Sequence, residues 1–173
     1  MTGETKGDSP VLPCFALRVK ARGEQSTTDA LTKKGFSAFL PVYEATVRWS
    51  DRKKRRELPL FPGYVFCRFD PLVRLPILTT PGVLAVVGFG RTPIAVEEDE
   101  IAAVRAVIAS GLPARPWPFV HPGEAVYIHE GPLRGVTGTV SKIDDKQQFV
   151  VSVSLLRRSV SVAVDPNWVR RLG

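Results

Sequence analysis

Little in the 173-residue sequence points to covalent chemistry. Cysteine is scarce: Cys14 and Cys67 stand far apart inside apolar stretches and form no Cys-x-x-Cys pair. That spacing suggests neither a disulfide framework nor a zinc site, and leaves two buried thiols. Histidine is equally sparse, and His121 and His129 lie in or beside a proline-rich segment, where a loop position is the ordinary reading. No apolar run approaches the ~20 residues of a membrane span. The opening MTGETKGDSPVLP lacks the apolar core of a signal peptide. The expectation is a cytoplasmic monomer without metal, cofactor or membrane contact, its residues 1–12 a disordered tail. The acids Glu97 to Glu100 are contiguous at a helix start, where they complement the helix dipole rather than converge on a metal. No catalytic constellation appears, and the chain is read as a binding protein rather than an enzyme.

What the chain has in excess is positive charge. With 24 Lys and Arg against 17 Asp and Glu, the net charge is +7 and the isoelectric point about 9.8, a balance that favours a polyanionic partner such as nucleic acid or the ribosome. The charge divides as +4 over residues 1–110 and +3 over 111–173, so neither half owns it. Its densest point is RWSDRKKRRE, Arg48 to Glu57, with six cations in ten positions.

Periodicity predicts a mixed chain. CFALRVK, Cys14 to Lys20, reads as a strand, and EQSTTDALTKKGF as a helix closed by Lys33, Lys34 and Gly35. FLPVYEATVRW runs into the basic segment and LPLFPGYVFCRF returns from it, which predicts a long hairpin with a charged loop at its tip. Leu72 to Leu78 is a short helix candidate, TTPGVLAVVGFG a turn and a Val-rich strand, and EEDEIAAVRAVIASG a helix with Ile101, Val104 and Ile108 on one face. Leu112 to Pro122 holds four prolines in eleven residues and reads as a linker. Beyond it Phe149, Val151 and Val153, and then Val160, Val162 and Val164, mark inner strand faces of a small β domain. The organisation predicted is residues 13–111 as an α+β domain (antiparallel sheet flanked by helices), 112–122 as linker and 123–173 as a small barrel.

In their order and spacing, FALRVKARGE, FLPVYE, the basic hairpin, PLFPGYVFCRFD and TPGVLAVVGFG resemble the N-terminal domain of the NusG family of transcription factors. GPLRGVTGTV, Gly131 to Val140, resembles the glycine-rich turn of a KOW motif, an SH3-like all-β barrel. The basic hairpin and the VVSVSLLRRSVSV ending look more like specialised paralogues of the RfaH or UpxY type. The resemblance implies an elongation or antitermination factor whose N-terminal domain docks on the clamp helices of bacterial RNA polymerase and suppresses pausing or termination. Its barrel would recruit a partner such as Rho or a small-subunit ribosomal protein.

It further implies that Phe15, Phe61, Pro62 and Tyr64 belong to an exposed apolar docking patch. Alternation puts Tyr64 and Phe66 on one face and Val65 and Cys67 on the other, so one face alone can dock; each aromatic could equally be core. Where the family often has a tryptophan before Phe15, this chain has Cys14. Arg48, Arg52, Lys53, Lys54, Arg55 and Arg56 would lie near upstream or non-template DNA, the alternative being a solvated tip that blunts edge pairing. Trp49 could stack on an unpaired base or pack on the hairpin root. Lys20 and Arg22 match positions that hold the non-template strand in RfaH-type relatives. The His-Thr-Thr contact of those relatives is not carried over, because LVRLPILTTP has no histidine. In the barrel Gly131, Gly135 and Gly138 would form the tight turns, and Leu155 to Arg158, LLRR, offers no turn former where relatives often place glycine. A ribosome-associated or RNA-binding KOW protein would explain charge and barrel but not the N-terminal motif string.

Overall fold

The computed structural model describes residues 11–118, 125–143 and 146–172. Most of the expected N-terminal tail lies outside them, as do residues 119–122 of the expected linker. The first strands form a four-stranded antiparallel sheet in the order β2-β5-β1-β6, with β1 Cys14–Val19, β2 Ser37–Phe39, β5 Tyr64–Arg68 and β6 Val83–Val86. Alternation decides its two faces. Phe15, Leu17, Val19, Val65 and Cys67 point to one side and bury Leu31 of α1, Glu24–Lys33, and Ile77 of α2, Leu75–Leu78. Cys14, Ala16 and Phe66 point to the other and pack with Ile101, Val104 and Val107 of α3, Glu98–Ser110. An antiparallel sheet between helices is what the sequence predicts. α1 ends at Lys33 with Gly35 at φ +92°, and α3 at Ser110 with Gly111 at φ +69°, where the left-handed turn suits glycine.

Between β2 and β5 the chain leaves the sheet as a separate two-stranded ribbon of β3, Val42–Trp49, and β4, Arg52–Pro59. This corrects the expected basic loop: the turn is only Ser50-Asp51, and Arg52 to Arg56 are strand residues paired with Trp49 to Ala45. Consecutive cations mask period-2 alternation, but the β-branched and aromatic residues of β3 supply a template for pairing. A second small ribbon joins β7, Gly88–Phe89, to β8, Thr92–Pro93.

The C-terminal half is a six-stranded antiparallel sheet in the order β14-β10-β11-β12-β13-β9. Its strands are β9 Ala114–Trp117, β10 Ala125–Ile128, β11 Thr137–Ile143, β12 Lys146–Val153, β13 Arg158–Val162 and β14 Val169–Arg171. β9 lies inside the expected linker. Its one proline, Pro116, fits because the strand sits at the sheet edge, where a missing N–H leaves no central ladder bond unmade. The LLRR connection is built by a 3₁₀ turn, Ser154–Leu156, after which Arg157 takes the left-handed conformation (φ +48°) that glycine adopts most easily. Val126, Ile128, Phe149, Val151, Val160 and Val162 are buried in the same cluster that holds Phe66 and α3, so α3 is shared between the two halves. Glu100 fastens this junction by accepting from the Ser154 N–H (3.1 and 3.2 Å) and from its hydroxyl (2.6 Å).

Candidate docking cleft and nucleic-acid ribbon

The stretch LFPGYVF is interrupted by a turn rather than running as one strand. β4 stops at Pro59 and β5 starts at Tyr64, and between them the Tyr64 N–H donates to the Phe61 carbonyl (3.1 Å). Gly63 has φ +85°, its carbonyl accepts from the Val19 N–H (2.9 Å), and its own N–H donates to Glu24 Oε1 (3.1 Å). Glu24 is 7% exposed. Sequence reasoning missed it because an acid in the first turn of a helix reads as solvated; here its carboxylate is turned inward and pins the Phe61–Tyr64 turn.

The turn divides the four expected docking residues. Pro62 is exposed and Tyr64 half-buried at the rim. Phe61 is 1% exposed and packs edge-on against Phe66, with centroids 5.6 Å apart. Phe15 is 3% exposed on the opposite face of the sheet, 4.7 Å from Phe69. Phe15 and Phe61 are therefore core residues of different layers, and the exposed patch expected of them is not formed. What stands around Tyr64 is a concavity of about 470 Å³ whose lining includes Arg18, Arg22, Pro62, Leu84 and, from the C-terminal sheet, Arg158. Leu84, 52% exposed, extends its apolar wall and was missed because it reads as one more strand residue of β6. Arg22 (φ +63°) and Lys20 are exposed in the β1–α1 turn; Arg22 joins Tyr64 in the cleft.

The hairpin cations form a separate group. Arg48, Arg52, Lys53, Lys54, Arg55 and Arg56 are exposed along the ribbon. Trp49 is 72% exposed beside them, so it does not pack on the hairpin root. In the C-terminal domain Gly131 (φ +84°) and Gly135 (φ +89°) occupy turns as expected. Gly138 does not: it lies within β11, opposite Val126, and a Cβ there would stand 2.6 Å from the Val150 carbonyl and 2.8 Å from the Phe149 ring. Its role is close approach, not turning. The His129 Nε2–H donates to the Asn167 carbonyl at 2.8 Å, a local loop contact.

Electrostatics away from these surfaces is structural. Arg68 makes a two-pronged pair with Glu98 (2.7 and 2.8 Å), which holds the Glu98 carboxyl below its ordinary range and the guanidinium above. Burial raises both thiols, Cys67 to about 12, which fits inert core cysteines. Among the described residues no helix is long and apolar enough to cross a membrane.

Comparison with known proteins fits this architecture. The profile of the family described as "Transcription termination factor nusG" matches residues 14–105, the sheet, the ribbon and most of α3. The chain belongs to the NusG family. A KOW motif profile matches residues 122–153. The transcription termination/antitermination protein NusG of Buchnera aphidicola subsp. Acyrthosiphon pisum is 31% identical over 141 residues, 77% of this chain and 76% of that protein. The NusG of Helicobacter pylori is 26% identical over 171 residues, 91% of this chain and 97% of that protein. A solved structure described as "Domain interaction in Thermotoga maritima NusG" superposes with a TM-score of 0.56 at 18% identity, covering 93% of this chain and 97% of the other. At that identity the likeness speaks for the fold.

Proposed function

We propose that this chain is a transcription elongation and antitermination factor that docks on the clamp helices of bacterial RNA polymerase and suppresses pausing or termination. The observation that carries the reading is the match of residues 14–105 to the NusG family together with an aromatic, Tyr64, held at an open cleft by a turn that Glu24 pins. Pro62, Tyr64 and Leu84 offer the apolar contact and Arg18 and Arg22 the charged rim, a combination suited to a protein partner. Arg158 shares the cleft, so docking there requires the C-terminal domain to give way at that corner. The basic ribbon then lies toward nucleic acid, and the KOW domain recruits a further partner, Rho or a small-subunit ribosomal protein.

The test is co-elution of the purified chain with bacterial core RNA polymerase. The wild type co-elutes, and Tyr64→Ala, whose circular dichroism matches the wild type, loses about 10-fold or more in affinity, as truncation of an interface anchor does. Equal binding by the folded variant would move the docking site off Tyr64. Failure of both proteins with a cognate polymerase would favour the RNA- or ribosome-binding reading.

A further inference from the structure

The register of the ribbon sorts its charges in a way the linear sequence hides. Directly opposed residues of an antiparallel pair share a face. Trp49 pairs with Arg52, Val47 with Lys54, Ala45 with Arg56 and Tyr43 with Leu58. One face therefore carries three cations, an exposed tryptophan, an apolar floor and no acid. The other carries Arg48, Lys53 and Arg55 with Glu44 and Glu57, which stand opposite each other. The net charge is +3 on the first face and +1 on the second. On the first face Val47 and Ala45 are half-buried although their cross-strand partners, Lys54 and Arg56, are exposed, consistent with the alkyl stems of those residues lying over the floor.

From this sorting we infer that the Trp49 face of the ribbon is a binding site for single-stranded nucleic acid, in which an unpaired base stacks on Trp49 and the backbone follows Arg52, Lys54 and Arg56. Three features converge on it. Trp49, Arg52 and Lys54 line a concavity of about 420 Å³ at the tip, with Ser50 and Asp51 of the turn; an aromatic wall beside cations is what stacking on a base next to its phosphate requires. Alternate residues of β4 recur every ~6.8 Å, so the three cations span roughly 14 Å, enough for two or three phosphates of an extended strand. An indole left 72% exposed has no use on a duplex backbone, whose bases are already stacked, but gains from an unpaired one. Asp51 is the acid of that concavity and marks where the phosphates must end.

The inference deepens the nucleic-acid part of the reading above, yet oligonucleotide binding by the free protein succeeds or fails independently of polymerase capture. The experiment is fluorescence anisotropy of labelled oligothymidylate, oligouridylate and a duplex, each about a dozen nucleotides long, with the full chain. We expect a single strand to bind more tightly than the duplex; the better of the two single strands identifies DNA or RNA as the source. Trp49→Ala should lose about 10-fold in affinity while Trp49→Phe keeps most of it. The triple change Arg52→Ala, Lys54→Ala, Arg56→Ala should lower the salt slope by about two. The matched change Arg48→Ala, Lys53→Ala, Arg55→Ala on the other face, with equal loss of charge, should cost less affinity. Equal losses from the two triple variants, equal binding of duplex, or an unaffected Trp49→Ala would each overturn the assignment.

Discussion

Phe61 and Tyr64 sit three positions apart in the same motif and have opposite environments. A turn of one glycine puts Phe61 under α3 and leaves Tyr64 at a rim. The two thiols show the same dependence on depth. Cys67 is fully buried, and desolvation first and Cys14 second push its thiol from about 9 up to about 12. The folded chain thus holds that proton more tightly than the unfolded chain between those values. The contribution is complete below pH 9 and is lost as pH rises toward 12. Denaturant midpoints should fall across that alkaline window, and the fall should be shallower in Cys67→Ala. Identical alkaline slopes in the two proteins would assign the loss to other groups. Glu98 works in the opposite direction: its lowered carboxyl favours the folded chain above the ordinary value of 4.5, and this is lost as pH falls.

At the level of elements, α3 was the most legible feature, because Ile101 and Val104 follow helical spacing and Gly111 ends the helix. What its sequence did not disclose is that its two sides serve two domains. Glu100 looked like one of four dipole-matched acids, yet it caps the 3₁₀ turn of the C-terminal sheet. In Glu100→Ala the Ser154 amide loses its acceptor and should exchange with solvent about 10-fold faster, a change of ~1.4 kcal/mol in opening free energy. Amide exchange read by NMR tests it; unchanged protection at Ser154 would mean the turn is closed without the carboxylate. The ribbon was half legible. Its strands alternate on the β3 side, but the five consecutive cations of β4 carry no period, so charge could be read and facing could not.

For the whole molecule the boundary between halves moved. The proline run reads as a linker by composition, but residues 114–117 close the edge of β13. A fragment beginning at residue 112 should therefore be more stable than one beginning at 119. Removing β9 strips four residue pairings and leaves an open edge. We expect a thermal midpoint lower by at least ~4 °C in the shorter fragment, in line with a loss of about 1 kcal/mol, with β-type circular dichroism in both. Equal midpoints would return residues 114–117 to the linker. The core around α3 is shared by both halves, since Val104, Phe66 and Val151 lie in a single buried cluster.

The sequence by itself determined the family, the order of β1, α1, β5 and α3, the net charge and the faces of β5, because motif spacing and period-2 alternation are local properties of the chain. Tertiary structure alone decided which aromatics are core, which side of the ribbon is basic without acids, and that a proline-rich run becomes an edge strand. Those outcomes depend on what packs or pairs across from each residue, and partners such as Phe61 and α3, Trp49 and Arg52, or Pro116 and Val160 are set by long-range contact and register.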